Sequence, residues 1–297
     1  MYSIGVDVGG TGIKIGVVDE SGNILYRGNC VTDVTGGFDK IISDIYDVIE
    51  DIIAQNDIEK AFDDYITWGG LPQRFMLTDE MQTKTYLSDV YDSILLKDIV
   101  SRFNIKDIDL FNRIVEYIVT TPSQNFSADN LANYFANKDN REVSKNTLYN
   151  YLDYMSKAML INKADRYDVR GKRILTGKYK YYLTDLGFGQ IMSIGKRPQL
   201  GAYLENIVYN ELLSRGYDVK VGNLDNGEID FIATNFDEKI YIQVAYILAD
   251  DSVVEREFGA FKSIQDNYPK YVLTLDKFDF SHDGIIHKNV IDWLLEK

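Results

Sequence analysis

A chain of 297 residues is long enough for two or three domains at roughly 100–150 residues each, and 45% hydrophobic content supports packed cores rather than disorder. A formal charge of −14 excludes a generic polyanion binder, so any nucleic-acid contact has to come from a local basic patch. One cysteine, Cys30, rules out an intramolecular disulfide, no run of about 18 apolar residues is present to span a membrane, and no signal core opens the chain, so a cytoplasmic protein is expected.

Ile4 to Val8, Ile13 to Asp19 and Ile24 to Asn29 read as three strands. They are separated by the turns Gly9-Gly10-Thr11-Gly12 and Ser21-Gly22-Asn23, and a helix follows from Phe38 to Gln55. Glycines let backbone amides approach an anion closely, and Asp7 stands where it holds a magnesium ion through water. The text GVDVGGTGIKIGVVDESGNIL resembles the start of ROK-family sugar kinases and repressors, over about the first 30 residues and up to 55 with the helix. The resemblance implies a phosphate loop of Asp7, Gly9, Gly10, Thr11 and Lys14. A kinase also needs a second lobe and a carboxylate base, and ROK members carry a cysteine-rich zinc motif that one Cys and two His do not build. A hairpin turn without ligand is the competing reading.

Tyr86 to Phe103 reads as a helix in which Asp98 and Arg102, four apart, are expected to pair. Asp109 to Thr120, Ala128 to Ala136 and Val143 to Ala158 read as three more, with Ser127 and Ser144 as start residues. Strands Leu160 to Tyr167 and Arg173 to Leu183 flank an Arg170-Gly171-Lys172 turn. Three helices and a two-stranded ribbon make a winged helix-turn-helix, whose third helix offers Lys145, Asn146, Thr147, Asn150 and Tyr151. The ribbon carries Lys163, Arg166, Arg170, Lys172, Arg173, Lys178 and Lys180 against only Asp165 and Asp168. That local excess points to phosphate contact through Lys145, Arg166, Arg170, Lys172 and Arg173. Docking of a protein partner is the competing reading.

Ala202 to Arg215 reads as a helix stopped by Gly216. Tyr217 to Val221, Ile229 to Thr234 and Ile240 to Tyr246 read as strands, Val253 to Tyr268 as a helix, Tyr271 to Asp276 as a strand and Val290 to Leu295 as a closing helix. His282 and His287 read as surface residues. One helix followed by a meander brings Glu205, Asp230 and Gln243 to one sheet end. That layout resembles the PD-(D/E)xK nuclease superfamily, in which acids hold a divalent metal that activates water for phosphodiester attack. The resemblance implies a degenerate catalytic set of Glu205, Asp230 and Gln243, with Glu205 and Asp230 as metal ligands and Glu228 as a further acid. Gln243 replaces an acid and Ala245 stands where the lysine belongs, so one ligand and the cation are expected to be missing.

FDDYITWGGLP (62–72), YLSDVYDSILLKDIVSRFNI (86–105), KYKYYLTDLGF (178–188), YLEN, GEIDF, YIQV, Glu255-Arg256-Glu257 and YPKYVLTLD together resemble a group of prokaryotic AAA-type ATPases. The last of these stretches match the domain of unknown function behind the ATPase core. The resemblance runs from about Phe62 to the end. Such proteins carry G-x-x-x-x-G-K-[S/T], yet Gly171-Lys172, Gly177-Lys178 and Gly195-Lys196 are followed by Arg173, Tyr179 and Arg197. A ROK-like beginning in place of the ATPase core reads as a recombined or truncated gene product.

The expected architecture is mixed α/β and multi-domain. Residues 1–55 are a ROK-like β-meander fragment, 56–105 a helical segment following a missing AAA core, 106–195 a winged helix-turn-helix and 196–297 a restriction-endonuclease-like α/β domain. The expected function is that of a non-catalytic member of an AAA-type ATP-binding group, gripping DNA or a protein partner through the winged helix. A metal-dependent PD-(D/E)xK nuclease and a ROK sugar kinase or repressor are the alternatives. Mg2+ is the candidate metal, and ATP is expected to bind weakly or not at all.

Overall fold

The computed structural model describes residues 3–18, 24–33, 35–77, 79–192, 199–224 and 227–296; the expected turn at 21–23 and the side chain of Lys178 lie outside them. The chain is mixed α/β and divides into two units, Met1–Asp64 and Tyr65–Lys297. Among the described residues, no helix is long and apolar enough to cross a membrane.

In the first unit β1 (Ser3–Val8), β2 (Gly12–Val18) and β3 (Ile24–Val31) form an antiparallel meander in that order. Ile13 and Ile15 alternate onto one face and pack with Ile52 of the helix α1 (Gly37–Trp68). Gly28 sits under this helix: a Cβ there would lie 2.5 Å from Val48 Cγ1, so only hydrogen fits. The sequence ends α1 at Gln55, but it runs on to Trp68. Nothing from 56 to 68 breaks a helix, and the stop is Gly69, at φ +74. A Cβ at Gly69 would fall 1.8 Å from Asp185 Oδ1.

The second unit continues with a 3₁₀ turn at Pro72–Met76, α2 (Glu80–Ser93) and a π-helical stretch, Ile94–Ser101. The π-helix shifts the side-chain register, so Asp98 and Arg102 form no ion pair; Arg102 instead lies over the Phe103 ring. Then come α3 (Ile108–Thr120), the two-residue β4 (Asn125–Phe126), α4 (Ala128–Asp139), α5 (Lys145–Lys157), β5 (Ile161–Asp168), β6 (Arg173–Leu183) and α6 (Gly187–Met192). The starts of α4 and α5 follow from their caps: Ser127 Oγ accepts from the Asn130 amide and Ser144 Oγ from the Thr147 amide. The helices close over one core that includes Phe111, Ile114, Leu131, Leu148, Leu152 and Met155.

The rest is α7 (Leu200–Ser214), β7 (Asp218–Leu224), β8 (Gly227–Thr234), β9 (Lys239–Val244), α8 (Asp251–Gly259), β10 (Lys270–Thr274), β11 (Ile286–Asn289) and α9 (Val290–Leu295). The helix expected over Val253 to Tyr268 is cut short at Gly259, the poorest former after proline, and only a 3₁₀ turn follows at Ala260–Ser263. His287 is not a surface residue: its place in β11 turns the ring inward, 5% exposed.

The strands expected in two separate modules lie in one eight-stranded sheet, in the order β11-β10-β9-β8-β7-β5-β6-β4. The join is β5 against β7, parallel, with Arg166, Tyr167 and Asp168 opposite Val221, Gly222 and Asn223. Across this join lies α7, whose Leu204, Ile207, Val208 and Leu212 are buried. Asn206 on the same helix is fully buried. Its Oδ1 accepts from the Leu183 amide at 2.7 Å and its Nδ2 donates to the Leu183 carbonyl at 2.8 Å.

Asn210 also donates to that carbonyl, so Asn206→Leu strands chiefly one buried N–H. The variant is expected to lose about 1–3 kcal/mol of unfolding free energy, read as a lower urea midpoint at unchanged slope.

Candidate functional site

Alternation along β6 puts Lys180 and Tyr182 on one face of the sheet. The same rule puts Glu228 and Asp230 together on β8. Helix α7 delivers Glu205 and β5 delivers Arg166. The Lys180 ammonium lies 2.9 Å from Glu205 Oε1, 2.6 Å from Glu228 Oε1 and 3.7 Å from Asp230 Oδ1. Tyr182 donates its hydroxyl to the same Glu205 oxygen at 2.7 Å. Arg166 holds Glu228 Oε2 at 2.6 Å and is fixed by the side-chain carbonyls of Asn125 and Asn223. Lys180 is 4% exposed, and Arg166 and Asp230 are 8% exposed, so the charges meet out of water, where each needs its partners.

Glu205, Asp230 and Gln243 do converge as the sequence implies. Gln243 Oε1 accepts from the Asp230 amide at 3.2 Å, and the Val244 amide donates to Asp230 Oδ2 at 2.9 Å. The cation expected to be missing at Ala245 is present, however, brought by Lys180 from a strand counted with the ribbon. Glu228 supplies the third acid. The donor set does not fit a divalent ion as it stands: an ammonium occupies the point the carboxylates share, and Gln243 turns its oxygen to the backbone. The sequence signal for Lys180 was the period-two text KYKYYL, which sets Lys180 and Tyr182 on one face.

Burial is the largest influence on Lys180 and favours its neutral form, yet Glu205, Asp230 and Glu228 together hold its pKa above the ordinary 10.5. Burial also dominates at the acids. It raises Glu205 against the opposing pull of Lys180, and it raises Asp230 well above its ordinary value, with Glu205 adding to the effect. The folded state therefore holds protons on these two acids more tightly than the unfolded chain, and they withdraw stability as pH climbs above the ordinary carboxylate range. Lys180 contributes stability that is complete below 10.5 and is lost as pH rises through its higher folded value.

The expected DNA-contact residues separate. Arg166 is buried in the cluster, and Lys145 is ion-paired with Asp129. Arg170, Lys172 and Arg173 are exposed at the ribbon tip, with Arg173 3.6 Å from Asp168. A cleft of about 610 Å³ opens beside the cluster at Glu228, Gln243, Arg256, Glu257 and Lys262. It meets a second cleft, of about 690 Å³, along Leu224 and Ser263; Arg170 and Lys172 line that one. In the first unit Asp7 lies opposite Lys14 across β1 and β2, and Gly10 and Thr11 are exposed in the turn. The Gly9 amide donates to the Gly12 carbonyl at 2.9 Å and the Gly9 carbonyl accepts from Thr32, so this amide closes the hairpin rather than facing an anion.

Lys180→Met is expected to lower the unfolding free energy at neutral pH by about 3–5 kcal/mol, because three carboxylates lose their shared cation. The loss shrinks on acidification, since the uncompensated acids take up protons. Urea titrations at about pH 5 and about pH 8 check this, and an equal loss at both refutes it.

Residues 59–199 match the profile of a family described as a domain of unknown function (DUF8612). That span includes Arg166 and Lys180 and stops before Glu205, Glu228 and Asp230. An uncharacterized protein of Haemophilus influenzae is 36% identical over 241 residues, 80% of this chain and 59% of that protein. Uncharacterized protein MJ1544 of Methanocaldococcus jannaschii is 30% identical over 220 residues, 72% of this chain and 48% of that protein. The chain thus spans about half the length of the curated relatives it matches. No solved structure matches it.

Proposed function

We propose that this chain is a non-catalytic binding module of an AAA-type ATP-binding protein group, in which a winged helix grips duplex DNA. The α/β layer beside it is a restriction-endonuclease-like scaffold. The observation that carries the reading is Lys180, whose ammonium lies within 2.6–3.7 Å of Glu228, Glu205 and Asp230. The chain itself supplies the cation that these carboxylates attract, so their charge is spent on joining β6, α7 and β8.

The winged-helix reading rests on the element order α3, β4, α4, α5, β5, β6, with β4 antiparallel to β6 at Asn125 and Phe126. Phosphate contact falls to Arg170, Lys172 and Arg173, which are exposed together at the ribbon tip, whereas Arg166 is buried and Lys145 stands apart on α5, ion-paired with Asp129. A metal-dependent nuclease is the second reading, favoured by the cleft of about 610 Å³ that reaches Glu228 and Gln243.

Fluorescence anisotropy with a labelled duplex tests the DNA contact. Arg170→Ala with Arg173→Ala is expected to weaken binding similarly on all sequences and to reduce the slope of log affinity against log salt concentration by about 0.9 per lost phosphate contact. No binding at low salt, or binding untouched by the double variant, refutes it and leaves a protein partner. Plasmid nicking with manganese that disappears in Asp230→Ala establishes the nuclease instead.

A further inference from the structure

The loop between β10 and β11 is closed by one imidazole. His287 Nδ1 accepts from the Phe280 amide at 3.3 Å, and its Nε2 lies 2.8 Å from Thr274 Oγ1. A ring nitrogen that accepts from an amide carries no proton, so the neutral ring is protonated on Nε2 and donates to Thr274. The Thr274 hydroxyl donates in turn to Asp276 Oδ2 at 2.9 Å, an oxygen that also accepts from the Leu248 amide at 2.7 Å. The His287 amide donates to Ser281 Oγ at 2.8 Å, and the Phe280 ring stands edge-on to the imidazole. The loop turns back at Asp283 and Gly284, φ 53° and 76°, and lays His282 on Phe258 of α8 with ring centroids 4.1 Å apart.

We propose that His287 is the catch of an acid-released loop: uncharged, it accepts from Phe280 and holds residues 277–285 against α8, and once protonated on Nδ1 it presents a second donor to that N–H and lets the loop go. Asp276 at the end of β10, Asp279 in the loop and a hydrogen bond to the Phe278 backbone all favour the cation. Burial outweighs them and lowers the histidine below its ordinary 6.5, so the catch is shut at neutral pH. The unfolded chain takes up the proton first as pH falls. The latch's contribution is therefore complete above 6.5 and is lost as pH drops through the lower folded value. Release removes His282 and Ile285 from the wall of a cleft of about 410 Å³ whose opposite wall includes Phe258, Phe261 and Lys262. Apolar surface then faces solvent, as in a binding groove.

Amide exchange by mass spectrometry on the full chain, corrected for the intrinsic pH dependence, tests the catch. Between about pH 7.5 and about pH 4.5, peptides from 277–285 are expected to lose roughly tenfold or more in protection while β9 peptides stay unchanged. His287→Gln, which cannot charge, should abolish the step whatever its starting protection. Asp279→Asn, which removes a carboxylate that favours the cation, should move the midpoint to lower pH. His282→Phe keeps the stack on Phe258 and should keep the step. Flat loop protection in the parent chain, a step that survives His287→Gln, or one that vanishes in His282→Phe overturns the assignment.

Discussion

One ammonium group sets the register of the second unit. Lys180 reaches Glu205 on α7 and both acids of β8, so three elements far apart in sequence share a single charge. Buried ion pairs add little net stability over a well-packed apolar alternative, but they penalise any arrangement that leaves one partner alone. A slip of β6 by one residue would turn Tyr179 or Tyr181 toward the carboxylates and Lys180 into the apolar layer that packs α3 to α5. The cluster thus selects one pairing of β6 over its neighbours in register, and the caps and apolar stripes of the helices cannot do that. Arg166 reinforces the choice from β5, bridging β4, β7 and β8 through Asn125, Asn223 and Glu228.

This arrangement revises the charge map of the ribbon. Counted along the sequence, the strands from 160 to 184 look like a basic face. Two of those cations, Arg166 and Lys180, are buried and matched by acids, and Lys163 pairs with Asp165. Among the described side chains of the ribbon, the positive surface shrinks to the tip, Arg170 to Arg173, beside a cleft that the C-terminal layer helps to build. Linear charge counts do not see which way a strand residue points, and here that direction separates a surface contact from an internal counter-ion.

Much of the fold was legible because it is local. Ser127 and Ser144 announce α4 and α5, and the apolar stripe of α3 and the closing helix at Val290–Leu295 follow from spacing alone. Glu205, Asp230 and Gln243 were legible as a set, since one helix and a meander carry them to the same sheet end. What escaped is non-local or depends on a broken helical rule. Lys180 was hidden by its assignment to a different module, and the β5–β7 pairing by the absence of any turn signal linking parallel strands. The full length of α1 was masked by a change of text that carries no helix-breaking residue before Gly69. The π-helical stretch removed the Asp98–Arg102 pair by altering the turn on which i, i+4 spacing relies.

The parallel join of β5 to β7 bears on how the chain can be divided. A gene fragment that stops after β6, or starts at α7, would bare the paired edge of a middle strand, Arg166 to Asp168 or Val221 to Asn223, a short template for unintended self-association. Each piece would also carry half of an ionic constellation, with either two buried cations or three buried anions unmatched. The ribbon and the C-terminal layer are in that sense a single cooperative body, and a crystallisation or domain-swap fragment drawn from this lineage should keep both.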